Sequence, residues 1–169
     1  MRGHLHELFS FPDPVNEKAA RVVAGVVLAT VIVILATGWY WLLIPLTYGF
    51  WARVLTGPTL SPLGRLAQRV IAPHLGAPKP VPGPPKRFAQ GVGTAMSTAA
   101  LILGVVIGAH TAADLILVAF LAAAGLESIF AVCLGCRVYA QLERAGLVPA
   151  CEDCADISRH VAGARRGIA

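Results

Sequence analysis

The sequence is poor in charged residues. Only 14% of its 169 residues are Asp, Glu, Lys or Arg, whereas soluble domains carry about 25%. Hydrophobic residues make up 56%, and no charged residue lies between Arg21 and Arg53. This balance argues against a soluble globular domain. The chain is therefore predicted to be an all-α integral membrane protein whose first partner is the lipid bilayer.

The familiar catalytic signatures are also missing. The five histidines are scattered without metal-ligand spacing, and no phosphate-binding loop, nucleophile elbow or dinucleotide fingerprint is present. The net charge of +5 comes without a basic stripe interleaved with aromatics, so no nucleic-acid partner is expected. These absences leave the membrane segments and the four cysteines as the informative features.

Long neutral stretches predict four transmembrane helices arranged as two hairpins. As one helix, residues 22–52 would run about 46 Å, which exceeds a hydrocarbon core of about 30 Å. A break at Thr37–Gly38 divides this stretch into two shorter spans. The last span is expected to continue as a single helix to Glu143 or Arg144, before Gly146. The predicted spans cover residues 17–36, 39–55, 88–108 and about 115–136.

The chain is accordingly divided into five stretches. Asn16 is a candidate cap for the first helix. In the central loop, apolar residues recur at helical spacing after Ser61 and Pro62, which predicts a short amphipathic helix. It is expected either at the membrane interface or packed on the protein's own spans. The stretches are an N-terminal segment (1–16), the first hairpin (17–55), the basic Pro-rich loop (56–86), the second hairpin (87–146) and a tail (147–169).

Positive charge orients the predicted spans. Residues 53–87 hold six Lys or Arg and no acid, while the turns near Gly38 and His110 hold no Lys or Arg. By the positive-inside rule, both termini and the central loop face the cytoplasm, with the protein in the plasma membrane. The G-x-x-x-G of Gly104 and Gly108 permits close helix approach. A homo-oligomer is left open.

The four cysteines form two Cys-x-x-Cys pairs. Cys133 and Cys136 share one face of the predicted helix near its C-terminal end, where the helix dipole opposes a thiolate. Nearby basic residues would have to stabilise such a thiolate. Cys151 and Cys154 enclose two acidic residues, which raise thiol pKa values. Zinc bound by Cys133, Cys136, Cys151 and Cys154 is an alternative; no other cofactor is expected. Inert buried cysteines remain a third interpretation.

Glu127 places a carboxyl group inside the fourth predicted span. An ionisable group in a membrane is a functional hypothesis by default. On a continuous helix it points away from the cysteines. A pairing with Arg21, Arg87 or Gln90 that locks the spans together is the structural alternative to proton transfer. The candidate substrate-binding residues are Arg21, Lys86, Arg87, Gln90 and Glu127.

Three motifs occur in order along the chain: Pro14-Val15-Asn16-Glu17 with Arg21, Gly83-Pro84-Pro85-Lys86-Arg87-Phe88-Ala89-Gln90, and Cys133-Leu134-Gly135-Cys136 with Tyr139. Together they resemble a bacterial membrane family described as domain of unknown function 4395, from about residue 12 to 142. The resemblance implies that the three motifs belong together. It also implies a soluble thioredoxin-like or sulfurtransferase partner. The second cysteine pair lies outside the matched stretch.

The leading functional hypothesis is a thiol-redox or sulfur-transfer component of the membrane. Cys133 and Cys136 would be its catalytic residues, cycling between dithiol and disulfide or persulfide. One alternative is a small anion transporter or channel subunit with Glu127 and the basic residues along its path. Another is a structural membrane protein with a cysteine zinc site.

Overall fold

The computed structural model describes residues 13–148, and these form a bundle of helices. A 3₁₀ turn, Tyr40–Leu42, and two π-helical turns, Ala67–Ile71 and Ile102–Ile107, lie between the α-helices. The predicted helical fold class is confirmed. The elements in chain order are β1 (Val15–Asn16), α1 (Glu17–Thr37), α2 (Leu43–Thr56), α3 (Pro62–Leu66), α4 (Ala72–His74), β2 (Pro80–Val81), α5 (Gly83–Leu101), α6 (His110–Phe130) and α7 (Leu134–Arg144).

Within residues 13–148, three helices are long and apolar enough to cross a membrane: Glu17–Thr37, Gly83–Ile107 and His110–Phe130. They correspond to the first, third and fourth predicted spans. The second predicted span, 39–55, becomes the 3₁₀ turn and the 14-residue helix α2. That helix runs about 21 Å, less than a hydrocarbon core of about 30 Å.

Helix α1 begins and ends where the sequence predicts. The Asn16 side chain accepts a hydrogen bond from the Lys18 backbone N–H at 3.0 Å, which satisfies one of the free donors of the first turn. Gly38 ends the helix with φ +70° and donates its N–H to the Ile34 carbonyl at 2.8 Å. Glycine takes this left-handed conformation without a side-chain penalty. The predicted cap and the predicted break are both confirmed.

The core is built by two helix pairs that pack on each other, α1 with α6 and α2 with α5. The Phe50 and Phe120 rings meet edge to face at 5.3 Å. Gly93 on α5 makes room for Phe50, because a Cβ at Gly93 would lie 2.4 Å from the ring. The fully buried apolar side chains include Val31, Ile34, Leu43 and Leu117.

The segments that follow α1 and precede α6 meet at one end of the bundle, called here the turn end. The Tyr40 ring stacks on His110 with centroids 4.4 Å apart, and its hydroxyl donates to Asp114 Oδ1 at 2.8 Å. Gly104 packs against Tyr40, since a Cβ there would lie 2.8 Å from the ring, and Gly108 turns the chain with φ +77°. In the G-x-x-x-G motif, Gly104 thus allows a contact within the chain and Gly108 forms a turn.

The opposite end, called here the cysteine end, is tied together by backbone pairing. Strands β1 and β2 are antiparallel, with Val15 opposite Val81. The Lys79 ammonium group contacts the Glu17 carboxylate at 2.7 Å. The Asp13 carboxylate accepts the Gly83 N–H at 2.9 Å. These contacts fix the start of α1 beside the start of α5.

The amphipathic helix predicted in the central loop is present as α3, a π-helical turn and α4. The Ser61 side chain accepts the Gly64 N–H at 3.1 Å, so the predicted cap is confirmed. Ala67 and Ala72 are buried against the bundle, as expected for a helix that packs on the protein's own spans. About half of each apolar side chain on the other face is exposed. The exposed residues there include Arg65, Leu66, Arg69 and Val70.

Candidate functional site

The helix that carries the cysteines is broken, so the predicted continuous helix through residues 115–144 is wrong. Helix α6 ends at Phe130 and α7 begins at Leu134. Ala131 adopts a left-handed conformation with φ +58°, and Val132 donates its N–H to the Leu126 carbonyl at 3.0 Å. Neither glycine nor proline stands at the break, which is why the sequence pattern does not reveal it.

Arg21 stabilises the end of α6. Its Nε and Nη2 donate to the Ser128 carbonyl at 3.2 and 3.1 Å, and Nη2 also donates to the Ile129 carbonyl at 3.1 Å. Carbonyls in the last turn of a helix lack intrahelical donors, and a cation there is favourable in the field of the helix. Arg21, a predicted substrate-binding residue, is therefore engaged in holding the break.

The break moves the cysteine pair from the C-terminal end of one helix to the N-terminal end of the next. Cys133 is the N-cap of α7, and its Sγ accepts the Cys136 backbone N–H at 3.4 Å. The dipole of α7 therefore favours a thiolate at Cys133. The expectation that the helix dipole opposes a thiolate is corrected by this geometry.

The two thiols differ in acidity. A hydrogen bond from the Cys136 side chain lowers the pKa of Cys133 to about 7, and Lys86 and the Cys136 backbone N–H act in the same direction. Burial and the Glu127 carboxylate oppose this shift. The same side-chain hydrogen bond, followed by burial, raises the pKa of Cys136. Cys133 is therefore the more acidic thiol of the pair.

The glycine between the cysteines brings α7 against α5. A Cβ at Gly135 would lie 2.6 Å from the Ala89 Cβ and 2.7 Å from the Ala89 Cα. Contacts this short with backbone cannot be relieved by turning a flexible side chain. Gly135 thus allows the close approach that places Cys133 over the first turns of α5.

Lys86 and Glu127 form an ion pair at the cysteine end. The Lys86 Nζ lies 2.6 Å from Glu127 Oε1, and their side chains are 9% and 21% exposed. Lys86 lies in the first turn of α5, and Glu127 lies in the last turn of α6. Lys86 was not among the partners predicted for Glu127. The prediction that Glu127 points away from the cysteines also fails, because it assumed a continuous helix; Glu127 and Cys133 line one cavity.

Arg53 is a site residue that was noted from sequence only as one of the six Lys or Arg of residues 53–87. It is 6% exposed. Its Nε donates to Gln90 Oε1 at 3.1 Å, and its guanidinium carbon lies 4.4 Å from the Phe50 ring centroid. Within residues 13–148, Arg53 Nη2 has no hydrogen-bond partner. Gly49, one helical turn earlier, was the available signal: a Cβ there would lie 3.2 Å from Arg53 Nη1.

Cys133 lines two separate cavities. The first, about 320 Å³, is bordered by charged residues of the cysteine end, including Lys86 and Arg137, and also by Cys136. The second, about 370 Å³, lies between α1, α5, α6 and the start of α7. It is mainly apolar, with Gln90 and Glu127 as its other polar residues. The Cys133 thiol can therefore be reached from a charged cavity on one side and from an apolar cavity on the other.

The predicted site residues are thus only partly brought together. Lys86, Gln90 and Glu127 surround the Cys133–Cys136 pair, whereas Arg87 lies on an exposed face of α5. Cys151 and Cys154 lie outside the described residues, and so does any zinc site that needs them. Between residues 13 and 148, no group of three or more His, Cys, Asp or Glu residues is placed to hold a metal ion.

Comparison with known proteins gives one match. A family model described as domain of unknown function (DUF4395) matches residues 15–144, which is more than half of the chain. The matched range contains Arg21, Lys86 and the first cysteine pair, and it ends before Cys151 and Cys154. No curated protein and no solved structure matches the chain.

Proposed function

The chain belongs to the DUF4395 family, and we propose that it is a membrane thiol-redox protein with Cys133 and Cys136 as its reactive pair. The observation that carries the proposal is the N-cap position of Cys133, whose Sγ accepts the Cys136 N–H. A thiol at a helix N-terminus beside a cation is the usual setting of a reactive cysteine. The lowered pKa of Cys133, about 7, supports the same assignment.

The reaction is thiol–disulfide exchange. The Cys133 thiolate attacks one sulfur of a partner disulfide, which breaks the partner S–S bond and releases one partner thiolate. Cys136 then loses its proton and attacks the Cys133 sulfur. The second partner thiolate leaves, and the Cys133–Cys136 disulfide forms. Two electrons have passed to the partner, whose thiolates take up the Cys136 proton and one from water. The reverse sequence oxidises a partner dithiol.

The same nucleophile also accounts for sulfur transfer. If the partner carries a persulfide, the Cys133 thiolate attacks its terminal sulfur and releases the partner thiolate. Cys133 then holds the persulfide, with no net change in electron count. A soluble thioredoxin-like or sulfurtransferase protein is a suitable partner for either reaction, because the cavity that contains Cys136 is bordered by charged residues.

Lys86 and Glu127 are positioning residues in this scheme. Lys86 favours the thiolate form of Cys133, and Glu127 disfavours it. Their 2.6 Å ion pair keeps the Lys86 ammonium group beside the thiols. The Glu127 carboxylate partly offsets the lowering of the Cys133 pKa by this ammonium group. The resulting pKa is close to the surrounding pH, where an attacking thiol combines thiolate population with nucleophilicity.

In the membrane, we place the bundle with four passes, α2 being the short one, and with both termini on the cytoplasmic side. The turn end, which holds Tyr40, His110 and Asp114 but no Lys or Arg from residues 13–148, would face outward. The cysteine end, where Lys79, Lys86 and the cysteine pair lie, would face the cytoplasm. The exposed Leu66 and Val70 beside Arg65 and Arg69 suit contact with anionic lipid at that surface.

The exchange reaction is tested by trapping its intermediate. In a background with Cys151→Ser and Cys154→Ser, the Cys136→Ser variant is mixed with glutathione disulfide. A stable mixed disulfide with one glutathione at Cys133 is expected, because the resolving thiol is gone. The matched Cys133→Ser variant should form this adduct at least about tenfold more slowly, since its remaining thiol is not the N-cap of α7 and burial still raises its pKa. Equal rates for the two variants contradict the proposal.

Anion transport is the second candidate, and the buried Arg53 favours it. An unpaired guanidinium N–H inside the bundle is a site where an anion would gain a hydrogen bond. The test is sulfate and thiosulfate flux into proteoliposomes. Flux that survives thiol blockade with N-ethylmaleimide but is lost in Arg53→Gln and in Glu127→Gln supports transport. Flux that is absent in the unmodified protein rules it out for these anions.

A further inference from the structure

Exchange with a soluble partner does not require the apolar cavity beside Cys133, because the charged cavity also reaches the cysteine pair. We propose that the apolar cavity binds a lipid-soluble quinone, and that the quinone accepts two electrons from the Cys133–Cys136 dithiol. This inference rests on the proposed dithiol–disulfide cycle and adds the oxidant that renews the disulfide.

The position of the cavity supports a ligand that arrives from the lipid. Its walls come largely from α1, α5 and α6, the three helices that are long and apolar enough to cross a membrane. Small residues, among them Ala24, Gly93 and Ala123, leave the space open. Its volume of about 370 Å³ falls in the range usual for small-molecule sites, about 300–1,000 Å³.

The polar groups of the cavity favour a quinone over a lipid acyl chain. Gln90, Glu127 and Cys133 lie at the cysteine end of an otherwise apolar lining. Gln90 Oε1 already accepts from Arg53, so the Gln90 amide N–H groups are the part of this side chain suited to donate to a ligand. A quinone carbonyl accepts such a bond, whereas an acyl chain leaves the donors without a partner.

Electrons and protons balance between the Cys133–Cys136 dithiol and a quinone. Forming a disulfide from two cysteines releases two electrons, and reducing a quinone to a quinol consumes two electrons and two protons. With Cys133 as thiolate and Cys136 as thiol, one proton comes from Cys136 and the second comes from water. The S–S bond forms as the S–H bond of Cys136 breaks, and the quinone oxygens become hydroxyl groups. A partner dithiol then reduces the disulfide again.

The test uses decylubiquinone, because its ring carries no hydrogen that a thiol could simply replace. Reduced protein, with Cys151→Ser and Cys154→Ser, is mixed anaerobically with decylubiquinone in detergent micelles. One quinol should appear for each Cys133–Cys136 disulfide, followed by quinone absorbance and by intact mass after alkylation. The variant Ala123→Phe fills the cavity, so its rate of quinol formation should fall at least tenfold. Ala122→Phe, on the exposed face of α6, should keep the original rate.

A second reaction separates failure of this inference from failure of the proposed function. Exchange with glutathione disulfide should proceed equally in Ala123→Phe and Ala122→Phe, because that substrate uses the charged cavity. If exchange proceeds but decylubiquinone yields no disulfide, or if both phenylalanine variants reduce it equally, the quinone site is wrong and thiol exchange stands. If neither substrate reacts with Cys133, both proposals are wrong.

Discussion

At the scale of single residues, the acidity of Cys133 depends on neighbours that act in opposite directions. Cys136 and Lys86 favour its thiolate, while burial and Glu127 disfavour it. The same hydrogen bond with Cys133 raises the pKa of Cys136, which therefore favours the protonated thiol. This division of roles requires the N-cap geometry, since Cys133 Sγ accepts the Cys136 N–H only when α7 starts at Leu134.

A pH profile of alkylation tests this balance. The rate at Cys133 should rise with pH through a midpoint near 7, because only the thiolate reacts. Glu127→Gln removes a charge that raises the Cys133 pKa, so the midpoint should move to lower pH. Lys86→Gln should move it to higher pH. Labelling with iodoacetamide at a series of pH values, resolved by peptide mass, measures these midpoints.

The exposed Arg69 supplies a control for that experiment, because it is not among the charges that shift the Cys133 pKa. Arg69→Gln also changes the net charge by one but leaves the cysteine end intact, so its midpoint should equal that of the unmodified protein. A midpoint that moves by the same amount in Arg69→Gln and Lys86→Gln would show a general charge effect. The assignment of Lys86 as a positioning residue would then be wrong.

Gly135 offers a steric test at the same scale. In Gly135→Ala, the new methyl group would lie 2.6 Å from the Ala89 Cβ, so the substitution should cost about 1–3 kcal/mol of stability and displace Cys133. Gly91→Ala is the matched control, because nothing lies within 4 Å of its Cβ position; an alanine inside a helix is neutral or favourable by up to about 1 kcal/mol. Thermal unfolding in detergent and the Cys133 alkylation rate report both effects.

Most residues of the candidate site can be chosen from the sequence, because cysteines and charged or polar residues are rare in an apolar chain. Cys133, Cys136, Lys86, Gln90 and Glu127 were all predicted from sequence. Arg53 was not, because six bases in one loop indicate topology before they indicate burial. Its contacts with Phe50 and Gln90 depend on how α2 packs against α5, which a single sequence does not specify.

At the scale of elements, the break between α6 and α7 decides the chemistry. At the break, Ala131 alone adopts a left-handed conformation, and this ends α6. The cysteines therefore lie at the N-terminal end of α7 and not at the C-terminal end of a longer α6. The sequence predicts helix on both sides of this break, and the end at Arg144 was predicted correctly. The break itself depends on a distant residue, Arg21, which holds the Ser128 and Ile129 carbonyls.

Substitution of Ala131 tests the break. A left-handed conformation costs an ordinary residue about 1–2 kcal/mol, and glycine avoids this cost. Ala131→Gly should therefore raise the unfolding temperature and keep the low pKa of Cys133. Ala131→Val should lower the unfolding temperature, since a β-branched residue is a severe outlier at positive φ. If valine is better tolerated than glycine, residues 131–133 are helical and the N-cap assignment is wrong.

At the scale of the whole molecule, the separation of the turn end from the cysteine end predicts the membrane orientation. Single cysteines are introduced at exposed positions of a chain whose four native cysteines are replaced by serine. A membrane-impermeant maleimide added to intact cells should label Thr37→Cys and Thr111→Cys at the turn end. Arg69→Cys should be labelled only after the membrane is permeabilised. Labelling of all three in intact cells contradicts the proposed layout.

Composition predicts the helical architecture of the whole molecule, apart from one helix. Long apolar stretches must form helices in a membrane because each backbone group needs a partner, so three spans follow directly from the sequence. The length of α2 does not follow from the sequence, because Tyr40–Leu42 forms a 3₁₀ turn and the α-helix begins only at Leu43. The pairing of Tyr40 with His110 and Asp114 is likewise a tertiary contact without a local sequence signal.

The proposed function requires that Cys133 and Cys136 form a reversible redox pair. The direct measurement is the intact mass of the protein after equilibration in glutathione buffers of graded potential and rapid alkylation, with metal content determined on the same full-length sample. We expect a two-electron transition in which two alkyl groups are lost together, which persists in Cys151→Ser with Cys154→Ser and disappears when Cys133→Ser is added to that background. Thiols that alkylate fully at every potential, or one bound zinc per chain with thiols that resist alkylation, would contradict it.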